Sequence, residues 1–178
     1  MGQYYKALIL AEKTDNKEFI RASLDAGNYQ EGMKLIEHSY IENPFVSAVE
    51  YLLSPKGMFY KSRIVWAGDY AENEPYSDKN LYTMDTNEMD YIPKLPPSYI
   101  EIVNQYSYIL NHSKKMYITK KDKVIHPLPL LTAEGNGNGG GDYYGENKNI
   151  VGTWARDVIS ISDTVPEGFT ELKCVFMD

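Results

Sequence analysis

The segment YSYILNHSKKMYIT, residues 106–119, holds two short runs rich in tyrosine and isoleucine on either side of a polar centre. Tyr106 to Leu110 and Lys115 to Thr119 read as the strands of an antiparallel hairpin around Asn111-His112-Ser113-Lys114. Moving outward, Phe59 to Ala67 (FYKSRIVWA) has the β-branched and aromatic content of a strand that Gly68-Asp69 ends. Gln3 to Ala11 reads the same way, with a turn at Thr14-Asp15-Asn16-Lys17. Lys17 to Asp25 is open between a returning strand and a short helix, because Phe19, Ile20 and Leu24 also lie at helical spacing. Met33 to Tyr40 is short and ambiguous. The clearest helix is Asn43 to Leu53. Asn43 is a suitable N-cap, Pro44 stands where a missing N–H costs nothing, and Phe45, Val49, Leu52 and Leu53 share one face. Downstream, Val158 to Ser162 and Leu172 to Phe176 read as closing strands around the Pro166-Glu167-Gly168 turn. Tyr99 to Val103 suggests a helical turn, and Leu81 to Met84 a short strand within the long polar region 70–97. Scattered strands and few helices predict an α+β fold, a mainly antiparallel sheet with one or two helices and long loops, as one domain over residues 1–178.

Composition narrows the function classes. The 178 residues are 43% hydrophobic and 24% charged, ordinary globular values, but tyrosine is abundant, with sixteen against five phenylalanines and two tryptophans. A large apolar body with a polar tip suits half-buried sheet faces and binding surfaces. A net charge of −7 argues against general affinity for nucleic-acid backbones. Seven acids fall between Asp69 and Asp90, and five lysines between Lys114 and Lys123. The single cysteine, Cys174, allows no intrachain disulfide, no zinc-ligand spacing exists, and no metal is expected. Without a signal peptide or an apolar run long enough to span a bilayer, a cytoplasmic protein is expected.

The second informative stretch is His126 to Gly145, HPLPLLTAEGNGNGGGDYYG, in which six of the eleven residues from Gly135 onward are glycine. Ordering glycine is entropically costly, so such a run marks either a tight loop with a close backbone approach or a surface excursion. Gly135, Gly137 and Gly140 formally spell G-x-G-x-x-G. The motif follows the proline-broken His126-Pro127-Leu128-Pro129, and no helix pattern follows it, so a dinucleotide fingerprint is rejected. A backbone anion nest remains; Gly137 to Asp142 also partly resembles a calcium-repeat turn, but that architecture needs many copies and this chain has one.

Acid–base candidates are Asp69, Glu134, Asp142, Asp157 and His126. Carboxylates beside glycine and tryptophan at strand ends serve either turn backbones or chemistry. His38 and His112 sit in ordinary polar contexts, as surface or hairpin residues. Cys174 has no base nearby in sequence and is expected to be a buried structural thiol. Both tryptophans share one frame, Trp66-Ala67-Gly68-Asp69 and Trp154-Ala155-Arg156-Asp157, a faint echo of an internal repeat.

Several segments together carry a resemblance: MGQYYK, KLIEHSY, NPFVSAVEYLL, RIVWAGDYAENE, NHSKKMYI, IHPLPLLTAEGNGNGGGDYYG and VGTWARDVISISD. They resemble a family of uncharacterised phage, prophage and gut Firmicutes proteins, over most of the chain and most specifically at the glycine run. The resemblance implies a phage or mobile-element accessory protein in the bacterial cytoplasm, and it transfers no catalytic residue or cofactor.

Three functional expectations result. The first is a non-enzymatic binding protein for a small nucleotide-like ligand, acting in counter-defence sequestration, with Trp66, Asp69, His126, Gly137, Gly139, Gly140, Asp142, Tyr143 and Trp154 lining the site. The second is an anti-defence protein that blocks a host protein through the acidic, tyrosine-bearing 69–91 region. The third is a small hydrolase using Asp69, Asp142 or Asp157 with His126. Partners are thus a small molecule or a host defence protein, with no membrane contact and with homo-oligomerisation open.

Overall fold

A computed structural model describes residues 3–135 and 143–177. The chain is α+β, built on one mainly antiparallel eight-stranded sheet that does not close into a barrel. Its strands are β1 (Tyr5–Leu10), β2 (Ile20–Asp25), β3 (Ser62–Gly68), β4 (Tyr108–Asn111), β5 (Met116–Thr119), β6 (Ala133–Glu134), β7 (Val158–Ser162) and β8 (Thr170–Glu171). Their order is β2-β1-β3-β7-β4-β5-β8, with β6 beside β3. All pairs are antiparallel except β3–β6 and β5–β8. The hairpin expected at 106–119 is β4–β5, in register from Tyr108↔Thr119 to Asn111↔Met116.

Strand β1 shows why the sheet is buried on both faces. Tyr5, Ala7 and Ile9 join the main core with Trp66, whereas Leu8 and Leu10 join Val65, Ala67 and Leu81 on the opposite side. The period of two sends alternate side chains to opposite faces. The described residues form five short helices, α1 (Leu35–His38), α2 (Pro44–Leu53), α3 (Leu81–Met84), α4 (Tyr99–Asn104) and α5 (Pro127–Leu131). The main core lies between the sheet and α2, whose Phe45, Val46, Ala48, Val49, Leu52 and Leu53 are all buried. Each of these side chains except Ala48 contributes about 1.5–3 kcal/mol of hydrophobic free energy. Asn43 caps α2 by accepting from the Val46 amide at 3.1 Å. Gly57 lets the chain fold back under the helix, since a Cβ there would stand 2.2 Å from the Tyr51 carbonyl oxygen.

Several expectations are corrected. Leu81 to Met84 is helical rather than a strand, because Asn80 caps it through the Thr83 amide at 2.9 Å. Leu172 to Phe176 is irregular; pairing with β5 stops at Glu171, and Cys174 and Phe176 pack into the core from a non-strand backbone. The Pro127-Leu128-Pro129 run forms the first turn of α5, where missing N–H groups cost nothing. His38 is fully buried rather than at the surface. The two tryptophan frames fold differently: Trp66 lies within β3, whereas Trp154 lies in the turn before β7.

Candidate functional site

Arg156 precedes β7 in a left-handed conformation, φ 69°. That region is unusual for a long side chain, and the backbone is fixed there from both sides. Its N–H donates to the Ile64 carbonyl at 2.8 Å, and its own carbonyl accepts from Arg63 Nε at 2.9 Å. The side chain is thereby aimed across the end of β6. Nε and Nη2 bond the two oxygens of Glu134, both at 2.7 Å, and Nη1 and Nη2 grip Glu74 at 2.7 and 2.8 Å. Nη1 also reaches Glu18 at 3.2 Å. All five guanidinium N–H donors are therefore in use. Glu18 is shared with Arg63, whose Nη1 and Nη2 lie 2.7 and 2.8 Å from its oxygens.

Two guanidinium groups thus face three carboxylates, one negative charge in excess. Burial by itself would raise the Glu18 pKa, but the Arg63 hydrogen bonds and the charges of Arg63 and Arg156 outweigh it and hold the carboxyl below its ordinary range. Burial opposes the charge on Arg156, and Glu74 and Glu134 overcome that and fix it as a cation. Gly68 lets Glu134 come this close to β3, because a Cβ there would lie 2.8 Å from the Glu134 carbonyl oxygen.

This cluster forms one wall of a cleft of about 870 Å³, lined among others by Glu72, Glu74, Glu134, Asn149, Thr153 and Arg156. Its size falls in the range of small-molecule sites, roughly 300–1,000 Å³. Gly135, the first glycine of the run, stands on its rim. Among the described lining residues the only charged groups are these glutamates and the saturated Arg156.

The residues expected from sequence have other stations. Trp66 is fully buried and donates Nε1–H to His38 Nε2 at 2.9 Å, while His38 Nδ1 donates to the Gly32 carbonyl at 2.8 Å. Burial holds the His38 pKa below its ordinary value, which suits a ring that accepts through Nε2. Trp154 is in the core, its amide bonded to the Leu131 carbonyl at 2.8 Å. Tyr143 is also buried, its hydroxyl against the Glu146 and Met177 carbonyls. Asp69 accepts from the Tyr4 amide at 3.0 Å and its own amide donates back to the Tyr4 carbonyl, which extends the β1–β3 pairing.

His126 caps α5 through Nδ1 and donates Nε2–H to the buried Glu50 at 2.7 Å; Glu50 also pairs with Lys120. Burial would raise the Glu50 pKa, yet His126 and Lys120 together lower it. Asp157 accepts from Asn111 and Lys114 at the end of β3 opposite to Asp69. About 20 Å of strand separates those two carboxylates, so they share no reaction centre. Gly137, Gly139, Gly140 and Asp142 lie outside the described residues.

Of the acid–base candidates among the described residues, Glu134 alone lines the cleft. Its partner Arg156, and the Glu18, Arg63 and Glu74 that complete the cluster, carried no sequence signal, since ion pairs across 22 to 138 residues leave no local pattern. Among the described residues no group of three or more His, Cys, Asp or Glu is arranged to hold a metal ion. No helix among them is long and apolar enough to cross a membrane. No protein-family model matches the chain, and no curated protein or solved structure is significantly similar to it.

Proposed function

We propose that the chain is a non-enzymatic binding protein that holds a small, nucleoside-like ligand in the cleft beside Arg156. The observation that carries this reading is the cleft wall itself. The arginine that crosses it is saturated by its glutamates, so the wall offers carboxylate oxygens in fixed positions and no free cation among its described residues. Such a wall accepts hydrogen bonds from amino and hydroxyl groups, as a base edge and a ribose provide, and repels a phosphate brought against it. The same saturation weighs against a hydrolase, because both oxygens of Glu74 and of Glu134 are committed to the guanidinium instead of being free to shuttle a proton. Blocking a host protein through the 69–91 region is also less well supported. Asp69, Glu74 and Asp85 there are spent on Tyr4, Arg156 and Lys6. In the phage setting that the resemblance implies, the ligand would be a host defence signal sequestered in the bacterial cytoplasm.

Native mass spectrometry of the protein purified from a bacterial host, beside an Asn149→Trp variant, tests this. Asn149 is exposed on the cleft lining, so an indole there fills space without entering the core. The expected result is a retained small-molecule mass in the wild type, lost in the variant at unchanged melting temperature. An equal ligand load in both proteins, or none in either even after incubation with nucleosides, overturns the reading.

A further inference from the structure

A second surface, independent of the cleft, gathers cations and apolar side chains on the approach to β3 and along the outer edge of β2. Arg21 lies over the Phe59 ring, 5.0 Å from its centroid, and Lys61 over the Tyr60 ring at 5.2 Å. Phe59 meets Tyr91 edge-on at 5.8 Å, and the Tyr91 hydroxyl lies 3.9 Å from the Met58 sulfur. Residues 89–91 run along β2, bonded to both the N–H and the carbonyl of Ser23, which joins the two halves of the patch. Met58 and Ile92 are 68% and 66% exposed, far more than large apolar side chains with a core to enter. Lys56 and Lys94, both exposed, stand within two residues of them. Two exposed carboxylates adjoin this stretch, Glu88 and Asp90, the latter accepting from Asn28 at 3.3 Å, against the four cations.

We infer that this face docks an acidic peptide segment of a partner protein, one carrying apolar side chains between its carboxylates. Charge complementarity selects the occupant. On a chain of net charge −7 an acidic partner is repelled over most of the surface and attracted where Arg21, Lys56, Lys61 and Lys94 flank Met58 and Ile92. Met58 and Ile92 supply the apolar contacts, with methionine able to adapt to differing side chains. Single-stranded nucleic acid fits less well. Base stacking needs open ring faces, and one face each of Phe59 and Tyr60 is covered by a cation.

Fluorescence polarisation with a labelled peptide of Glu, Leu and Phe tests the assignment, beside the same peptide with Lys for Glu and a labelled oligothymidylate. The acidic peptide should bind in a salt-dependent manner, and at least about tenfold more weakly to Lys61→Glu/Lys94→Glu and to Met58→Asp/Ile92→Asp. All four positions are exposed, and unchanged melting temperatures show that folding is not the cause. Absence of acidic-peptide binding, equal binding of the basic peptide, or unaltered affinity in both variants overturns it. Tighter binding of oligothymidylate overturns it in favour of a nucleic-acid surface.

Discussion

Arg156 draws several distant segments together, since it joins Glu18, Glu74, Glu134 and the backbone of β3. Removing one partner from such a cluster strands buried carboxylates, of which Glu18 and Glu74 have side chains only 1% and 6% exposed. Arg156→Met should therefore cost about 3–5 kcal/mol in urea denaturation. Arg156→Lys should recover only a minor part, because an ammonium has three donors and cannot grip two carboxylates in parallel pairs. A lysine variant of wild-type stability would show that charge alone, and not the five-donor geometry, holds the cluster.

At the scale of elements, α2 is enclosed almost all round, so its ends and its exit turn must be well made. Asn43→Ala removes the amide acceptor at the N-terminus and should cost about 1 kcal/mol. Gly57→Ala should cost more, because the added Cβ meets the carbonyl oxygens of Tyr51 and Leu52 at 2.2 and 2.3 Å and the 55–59 turn must move. Thermal denaturation of the two variants checks the ranking. Asn43 and Pro44 made this helix legible in sequence. The equally good cap at Asn80 was hidden, because Leu81 to Met84 is too short to show a helical period.

Across the whole molecule, acid should unfold the chain in two stages. Burial holds His38 below its ordinary pKa, and burial with the nearby Lys61 does the same for His112. Glu18 and Glu50 are also held low, by charges and hydrogen bonds that outweigh their burial. A group whose folded pKa is depressed binds fewer protons folded than unfolded, so its stabilisation is present above the unfolded value and is lost as pH falls. Stability should decline first through the histidine range and again through the carboxylate range. Urea midpoints measured against pH should lose the first step in a His38→Gln/His112→Gln variant. A midpoint flat from neutrality to the carboxylate range in the wild type would contradict the histidine contribution.

The sequence by itself determined the strand-rich α+β class, the 106–119 hairpin and α2, because period, turn residues and caps act over a few neighbours. It also marked Glu134 and the beginning of the glycine run, which border the cleft. Only the tertiary structure decided that both tryptophans and Tyr143 are core, that His126 serves Glu50, and that Glu18, Arg63, Glu74 and Arg156 meet. An aromatic ring reads alike whether it packs inward or faces a ligand. A charge reveals its partner only when the sheet order brings β3, β6 and the approach to β7 side by side.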